Sequence, residues 1–217
     1  MMVVVTMFKN LSFDELNTLV QNERSMPFEM YFGEMNLPEE EKSERIQMAK
    51  ELEEVFITTM IWLFTIEQAN NTNYEPIRQR MEDDYMEVLR KYVEVDDYLK
   101  TYVKSFSYDV VDSTNRHKNE PYYYSLDRAR FMAENEVNTV INHARHMEAV
   151  NARKTMKRWK AIIDEVTRID HIDVNGKYIP INKAFHVGDS WMLYPKDTSL
   201  GASANQIVNC RCTVIYF

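Results

Sequence analysis

Residues 154–181 read KTMKRWKAIIDEVTRIDHIDVNGKYIPI, and the fold class turns on how this stretch differs from all that precedes it. Trp159 to Asp164 has strand character. Val166 to Asp170 fits one helical turn. Ile172 to Ile181 has the pattern of a β-hairpin, with Asn175-Gly176 supplying two residues that tolerate positive φ, as a type I′ turn requires. Further on, Trp191 to Tyr194 reads as another short strand, and Cys210 to Phe217 as a terminal strand of alternating character. Three of the four glycines (Gly176, Gly188, Gly201) and two of the six prolines (Pro180, Pro195) fall in this last part, which is therefore rich in turns.

Upstream, punctuation is sparse and the helical period dominates. Ser12 with Glu15 is a capping box, so a helix is expected from Phe13 to about Glu23. Pro27 and Gly33 mark a loop. Pro38 suits the first position of the next helix, with Glu39, Glu40 and Glu41 on the positive end of its dipole. Ile46, Ala49, Leu52, Val55, Phe56, Met60, Leu63 and Ile66 recur at spacings of three and four, and Asn70, Asn71 and Asn73 close this helix. Pro76 opens a third, carried by Ile77, Met81, Tyr85, Val88, Leu89, Tyr92, Val95 and Leu99 to about Val103. Ser105 to Tyr124, with its polar run Asp112 to Glu120, reads as a connection. Ser125 opens another long helix through Val150. The expected fold class is α+β. A mostly α-helical N-terminal region with long helices (1–124) precedes residues 125–217. There a long helix (125–152) leads into a small α+β domain (153–217) with a short antiparallel sheet.

A chain of 217 residues holds one or two domains. Lys+Arg is 26 against Asp+Glu 34, a net charge of −8, which excludes a generally basic nucleic-acid coat. Two cysteines exclude a disulfide scaffold. The most apolar run, Val55 to Ile66, is shorter than the roughly 20 residues a membrane span needs. Met1 to Met7 lacks the basic start of an export signal. A soluble, intracellular chain that meets no membrane is expected. Charge is uneven, however. Arg145, Arg153, Lys154, Lys157 and Arg158, with Lys160, cluster against Glu148 alone, and nine Glu crowd residues 29–54. The basic run reads either as a solvated face or as a DNA-facing strip shared with His143 and His146.

The chemistry-bearing residues lie late in the chain. Asp164, Thr167, Arg168 and His171 follow Trp159, and Asn209, Cys210, Arg211 and Cys212 come near the end. On a strand, Cys210 and Cys212 project from one face and Arg211 from the other. A disulfide between them is geometrically awkward. Packed thiols are the simpler reading. The sharper one is a zinc site with His171 as third ligand and Asp164 or His186 as fourth. Arg168 can pair with Asp164 four residues away, and Arg211 with Asp173 or Asp197. These eight residues thus read first as a structural motif that clamps a small domain. An enzyme would use His171 as base with Asp164 orienting it. There is no Ser nucleophile motif, phosphate-cradling Gly loop or H-E-x-x-H, so no catalytic residue is assigned and no cofactor is expected, zinc being the alternative.

The order of these motifs resembles the C-terminal domain of phage minor head proteins of the Mu F family. The shared pattern is an aromatic residue, then Asp164-x-x-Thr167-Arg168-x-x-His171, a Gly-containing turn, Phe185 before a variable loop, Pro195-Lys196-Asp197 and the closing Asn209-Cys210-Arg211-Cys212. Lys196 stands where the family has Gly. Arg128 to Glu136, with Asn142 beyond, resembles the preceding helix of that family. The resemblance implies a phage or prophage minor head (capsid) protein. It would act in head morphogenesis, DNA packaging or genome delivery by binding the portal and the capsid or scaffold proteins, with phage DNA within reach. Its place would be the virion, at the capsid interior or portal vertex, and the host cytoplasm during assembly. The alternatives are an effector enzyme acting on nucleic acid or a nucleotide, and a zinc-stabilised adaptor.

Overall fold

A computed structural model describes residues 11–20 and 24–217. The reading of Met1 to Met7 falls outside them. The chain divides into two compact units. One holds the described residues up to Pro27 together with Gln47–Ala133, the other Phe28–Ile46 and Glu134–Phe217.

In the first unit, helix α1 (Phe13–Thr18) opens on the expected capping box. Ser12 Oγ accepts from the Glu15 amide at 3.2 Å, and the Glu15 carboxylate accepts from the Ser12 amide at 2.7 Å. The helix stops earlier than expected. Asn17 Nδ2 bonds back to the Phe13 carbonyl and Thr18 Oγ1 to that of Glu15, side-chain alternatives that compete with helix continuation. Residues 21–23 of the expected helix lie outside the described residues. Helix α2 (Phe28–Gly33) belongs to the other unit, as do the first residues of α3 (Glu39–Gln68). The body of α3 runs here, and just past its end Asn70 has φ 53°, the left-handed turn that asparagine tolerates.

The expected third helix is two. Helix α4 (Glu75–Tyr92) ends where Val93 turns extended, and α5 (Asp97–Arg116) starts afresh with the Asp96 side chain accepting from the Leu99 amide at 2.8 Å. Most of the stretch expected as a connection, Ser105 to Tyr124, is therefore helix. It is followed by a 3-10 turn, Pro121–Tyr124, before α6 (Leu126–Asn151). The core of the unit is aromatic at its centre. Phe56, Tyr85 and Phe106 meet with ring centroids 5.5–5.8 Å apart, mostly edge to face.

In the second unit, strand β1 (Met156–Lys160) is the middle of a three-stranded antiparallel sheet. Strand β2 (Tyr178–Pro180) pairs with it through Lys157↔Ile179, and β5 (Thr213–Tyr216) through Trp159↔Val214. Strands β3 (Phe185–Val187) and β4 (Ser190–Met192) form a separate hairpin with Phe185 opposite Met192. Two short helices, α7 (Ile169–Val174) and α8 (Ala204–Ile207), fill the connections. Trp159, Val174, Phe185, Val187, Met192, Cys210 and Cys212 make the core.

The fold class is α+β, as expected, but several elements are displaced. The first strand is Met156–Lys160 rather than Trp159 to Asp164. Its inward residues are Lys157 and Trp159, and a lysine at an inward position disguises the alternation. The helical turn is Ile169–Val174 rather than Val166 to Asp170. The hairpin expected over Ile172 to Ile181 does not form. Asn175 has φ −56° and ends α7, and only Gly176 (φ 78°) is left-handed, the residue just past the cap. Strand β2 then pairs with β1 across the Trp159–Gly176 and Trp159–Lys177 backbone bonds. The strand expected from Trp191 to Tyr194 is Ser190–Met192. The terminal strand starts at Thr213, leaving both cysteines in the segment before it. Among the described residues no helix is long and apolar enough to cross a membrane.

Candidate functional site

Helix α6 acts as a ruler for the end of the chain. Asn135, Asn138 and Asn142 sit at spacings of three and four, so they share one helix face. Each holds a successive part of the segment 209–212. Asn135 Oδ1 accepts from the Asn209 amide at 2.7 Å while Asn135 Nδ2 donates to Asn209 Oδ1 at 2.9 Å. Asn138 Nδ2 donates to the Cys210 carbonyl at 3.1 Å. Asn142 Nδ2 donates to the Cys212 carbonyl at 3.1 Å and to that of Pro195 at 3.2 Å. Arg45, fully buried, donates to Asn138 Oδ1 at 2.6 Å and so fixes which way that amide points. Burial lowers the Arg45 guanidinium to about 10, with Glu41 at 3.2 Å working against the drop. Asn209 adopts φ 54°, the left-handed kink that feeds the segment into line.

With both cysteine carbonyls pinned, Arg211 points away from the sulfurs. Its guanidinium bridges Glu34 (2.6 Å) and Asp164, which it also contacts. Asp164 Oδ1 in turn accepts from the Val166 amide at 3.1 Å and lies 2.6 Å from the Thr167 hydroxyl. Burial would raise the Asp164 carboxyl, but Thr167 and Arg211 outweigh it and hold the group below the usual carboxylate range. Arg168 does not pair with Asp164 as the spacing suggested; its Nη2 donates to the Val208 carbonyl at 2.7 Å. Arg211 does not reach Asp173 or Asp197 either. Asp197 is buried and accepts from the Leu193 and Ser199 amides, closing its own loop.

Lys196, the residue standing in a glycine-type position, has φ 69°. Such a conformation favours glycine, and a lysine there carries strain. Its amine is buried and donates to Asn135 Oδ1 at 2.8 Å, tying the Pro195–Asp197 turn to the same helix face. Lys196 stood out in the sequence only as a departure from glycine; Asn138, Arg45 and Glu34 did not stand out, and for Asn138 alone the three-residue and four-residue spacing of the asparagines on α6 was a signal.

His171 lies on α7 with its ring among the sulfurs. Nδ1 is 3.3 Å from Cys212 Sγ and 3.5 Å from Cys210 Sγ, and Nε2 is 3.1 Å from Gln206 Oε1. Burial raises the Cys210 thiol, but Cys212, His171 and Lys196 overcome this and bring it well below the ordinary thiol range, while Cys212 goes up. His171, Cys210 and Cys212 form one group that could hold a metal ion. Asp164 and His186, named as fourth ligands, are not part of it. Asp164 is also not beside His171 as an orienting group; it faces Arg211.

The basic strip separates into different environments. Arg153, Lys154 and Arg158 are exposed, Arg158 lying over the Phe217 ring. Arg145 pairs with Glu41 at 3.3 Å. Lys157 cannot face DNA. It is fully buried, its amine donating to the Leu193 carbonyl at 2.6 Å, and burial lowers it to about 8. His143 and His146 are buried too, the first 2.8 Å from the Tyr194 hydroxyl. A cavity of about 430 Å³ opens near this strip, lined by Glu41, Arg145, Lys154, Lys160 and the outer edge of β5. None of the eight motif residues lines it. Asp164, Thr167, Arg168, Asn209 and Arg211 are bonded to one another, to backbone and to Glu34 and Asn135.

A family profile described as Phage Mu protein F like protein matches residues 69–215. The match reaches well upstream of the motifs quoted from the sequence, into helices α4 and α5. No curated protein and no solved structure matches the chain.

Proposed function

The chain belongs to the phage Mu protein F-like family, which makes it a phage head-associated protein, and from that premise we propose that it is a minor head protein working by binding. Its partners in this reading are the portal and the capsid or scaffold proteins, and its place is the portal vertex or capsid interior during assembly and DNA packaging. The observation that carries the reading is the closed polar network of the C-terminal motif. Asp164, Thr167, Arg168, Asn209 and Arg211 bond one another, the backbone, Glu34 and Asn135, and they lie apart from the 430 Å³ cavity. A reaction centre needs donors and acceptors left over for a substrate. A brace uses them up.

Exposed Arg153, Lys154 and Arg158 supply the positive charge for which nearby packaged DNA calls, as a weak and salt-dependent contact. The net charge of −8 keeps any such contact local. Co-expression with the portal protein of the same phage or prophage tests the proposal. Co-elution of the two through size-exclusion chromatography is expected. Separate elution, together with absence from assembled particles, overturns it.

A further inference from the structure

We propose that His171, Cys210 and Cys212 form a zinc site of the Cys₂His type, with a water in the fourth position. The proposal does not rest on the docking reading. It rests on how the ligand atoms are aimed and on what surrounds them.

Two sulfurs and one ring nitrogen converge within 4.8 Å of one another, all buried. The Nδ1···Sγ separations are 3.3 and 3.5 Å. A tetrahedral zinc with Zn–S of about 2.3 Å and Zn–N of about 2.0–2.1 Å puts nitrogen and sulfur about 3.5 Å apart. The two nitrogen–sulfur edges of the tetrahedron are thus in place before any ion arrives.

The ring is also turned the right way. Asp170 is an acceptor, so the Gln206 group facing it at 2.8 Å is the amide nitrogen. That leaves Gln206 Oε1 for His171 Nε2, which must be the N–H donor. Nδ1 then directs its lone pair between the sulfurs. A metal-ligating histidine is held in this way by its other nitrogen. Gly188 protects the arrangement. It has φ 56°, and a Cβ there would collide with Asp170 Oδ2 and Gln206 Nε2.

The sulfurs are presented by the same brace that serves the fold. Asn138 and Asn142 hold the two cysteine carbonyls, and Arg211 is drawn off to Glu34 and Asp164, so both thiols turn to the side of His171. Zinc is the ion that fits. Two thiolates neutralise its charge in a buried place, and soft sulfur with imidazole excludes calcium and magnesium. Among the described residues no fourth His, Cys, Asp or Glu joins the three, which assigns the last position to water. On binding, each thiol gives its proton to solvent and its sulfur lone pair to the metal.

The test uses the full chain. Elemental analysis after purification without chelator is expected to give one zinc per chain. Replacement by cobalt is expected to give a thiolate-to-cobalt charge-transfer band, lost in Cys212→Ser. Because that variant could fail to fold, Gln206→Ala is the second probe. It keeps all three ligands, and its zinc affinity is expected to fall 10- to 100-fold. A folded wild-type chain with both thiols reactive to a disulfide reagent, no zinc, and no cobalt band on titration overturns the proposal. Zinc bound with Cys210 and Cys212 still reactive overturns it as well.

Discussion

Arg211 shows what a single side chain contributes here. Its guanidinium is almost fully covered and joins Glu34, 177 positions away, to Asp164. Arg211→Ala is expected to cost about 1–3 kcal/mol in urea unfolding, because it removes the shared partner of half-exposed Glu34 and part-buried Asp164. Arg211→Lys should recover less than half, since an ammonium cannot fork between two carboxylates. His146 supplies one part of the pH response. Burial first, then Lys157 and His143, lower it to about 4. Unfolded, a histidine titrates near 6.5. Between these values the unfolded chain binds more protons, so stability falls as the pH drops from about 6.5 to 4, by up to about 3 kcal/mol. His146→Gln should lose that part of the slope in melting curves taken across the range. At this scale the sequence singled out Asp164, Thr167 and Arg211, which meet in one contact set, and His171, Cys210 and Cys212, which meet in another. Their partners it did not single out. An ion pair closed over 177 residues leaves no local trace, and Lys157 resembles any member of a basic run until the sheet buries it.

Among the elements, α6 does most to shape the C-terminal segment. Asn138→Leu takes one of two acceptors from the Arg45 guanidinium, leaving Glu41, and removes the side-chain donor to the Cys210 carbonyl; it is expected to destabilise by about 2–3 kcal/mol by chemical denaturation. Asn142→Ala, which frees two carbonyls and strands no charge, should cost about 1–3 kcal/mol. The long helices were readable because apolar residues at three and four repeat for many turns, and the Ser12–Glu15 box marks a start by chemistry alone. The break between α4 and α5 was missed for want of Pro or Gly. Its one signal is Asp96, a helix-capping residue placed inside an unbroken apolar period. Asp96→Ala should lower stability by about 1 kcal/mol. Asn175-Gly176 misled for a related reason. A left-handed glycine serves a hairpin turn and the residue past a helix cap equally well, and only the pairing of β2 with β1 separates the two.

For the whole molecule, two compact units carry different kinds of order. One is an apolar helical core with aromatic rings at its centre. The other is a small sheet whose core is thin and whose shape depends on buried amides, guanidinium groups and the His171–cysteine cluster. A small domain with little apolar area gains definition from such polar bracing, at the cost of sensitivity to any one lost partner. That character suits a part that must keep its shape while it is gripped, which is what a head protein acting by binding requires. The α+β class followed from the shift at residue 154; the family came from the ordered motifs, and its match extends to residue 69. Mass spectrometry of heads purified after expression of the accompanying head genes addresses this most directly. The binding account predicts the chain in a fixed ratio to the portal protein, retained in heads by wild type and reduced with Arg211→Ala. A chain abundant in the lysate and missing from the heads would contradict it.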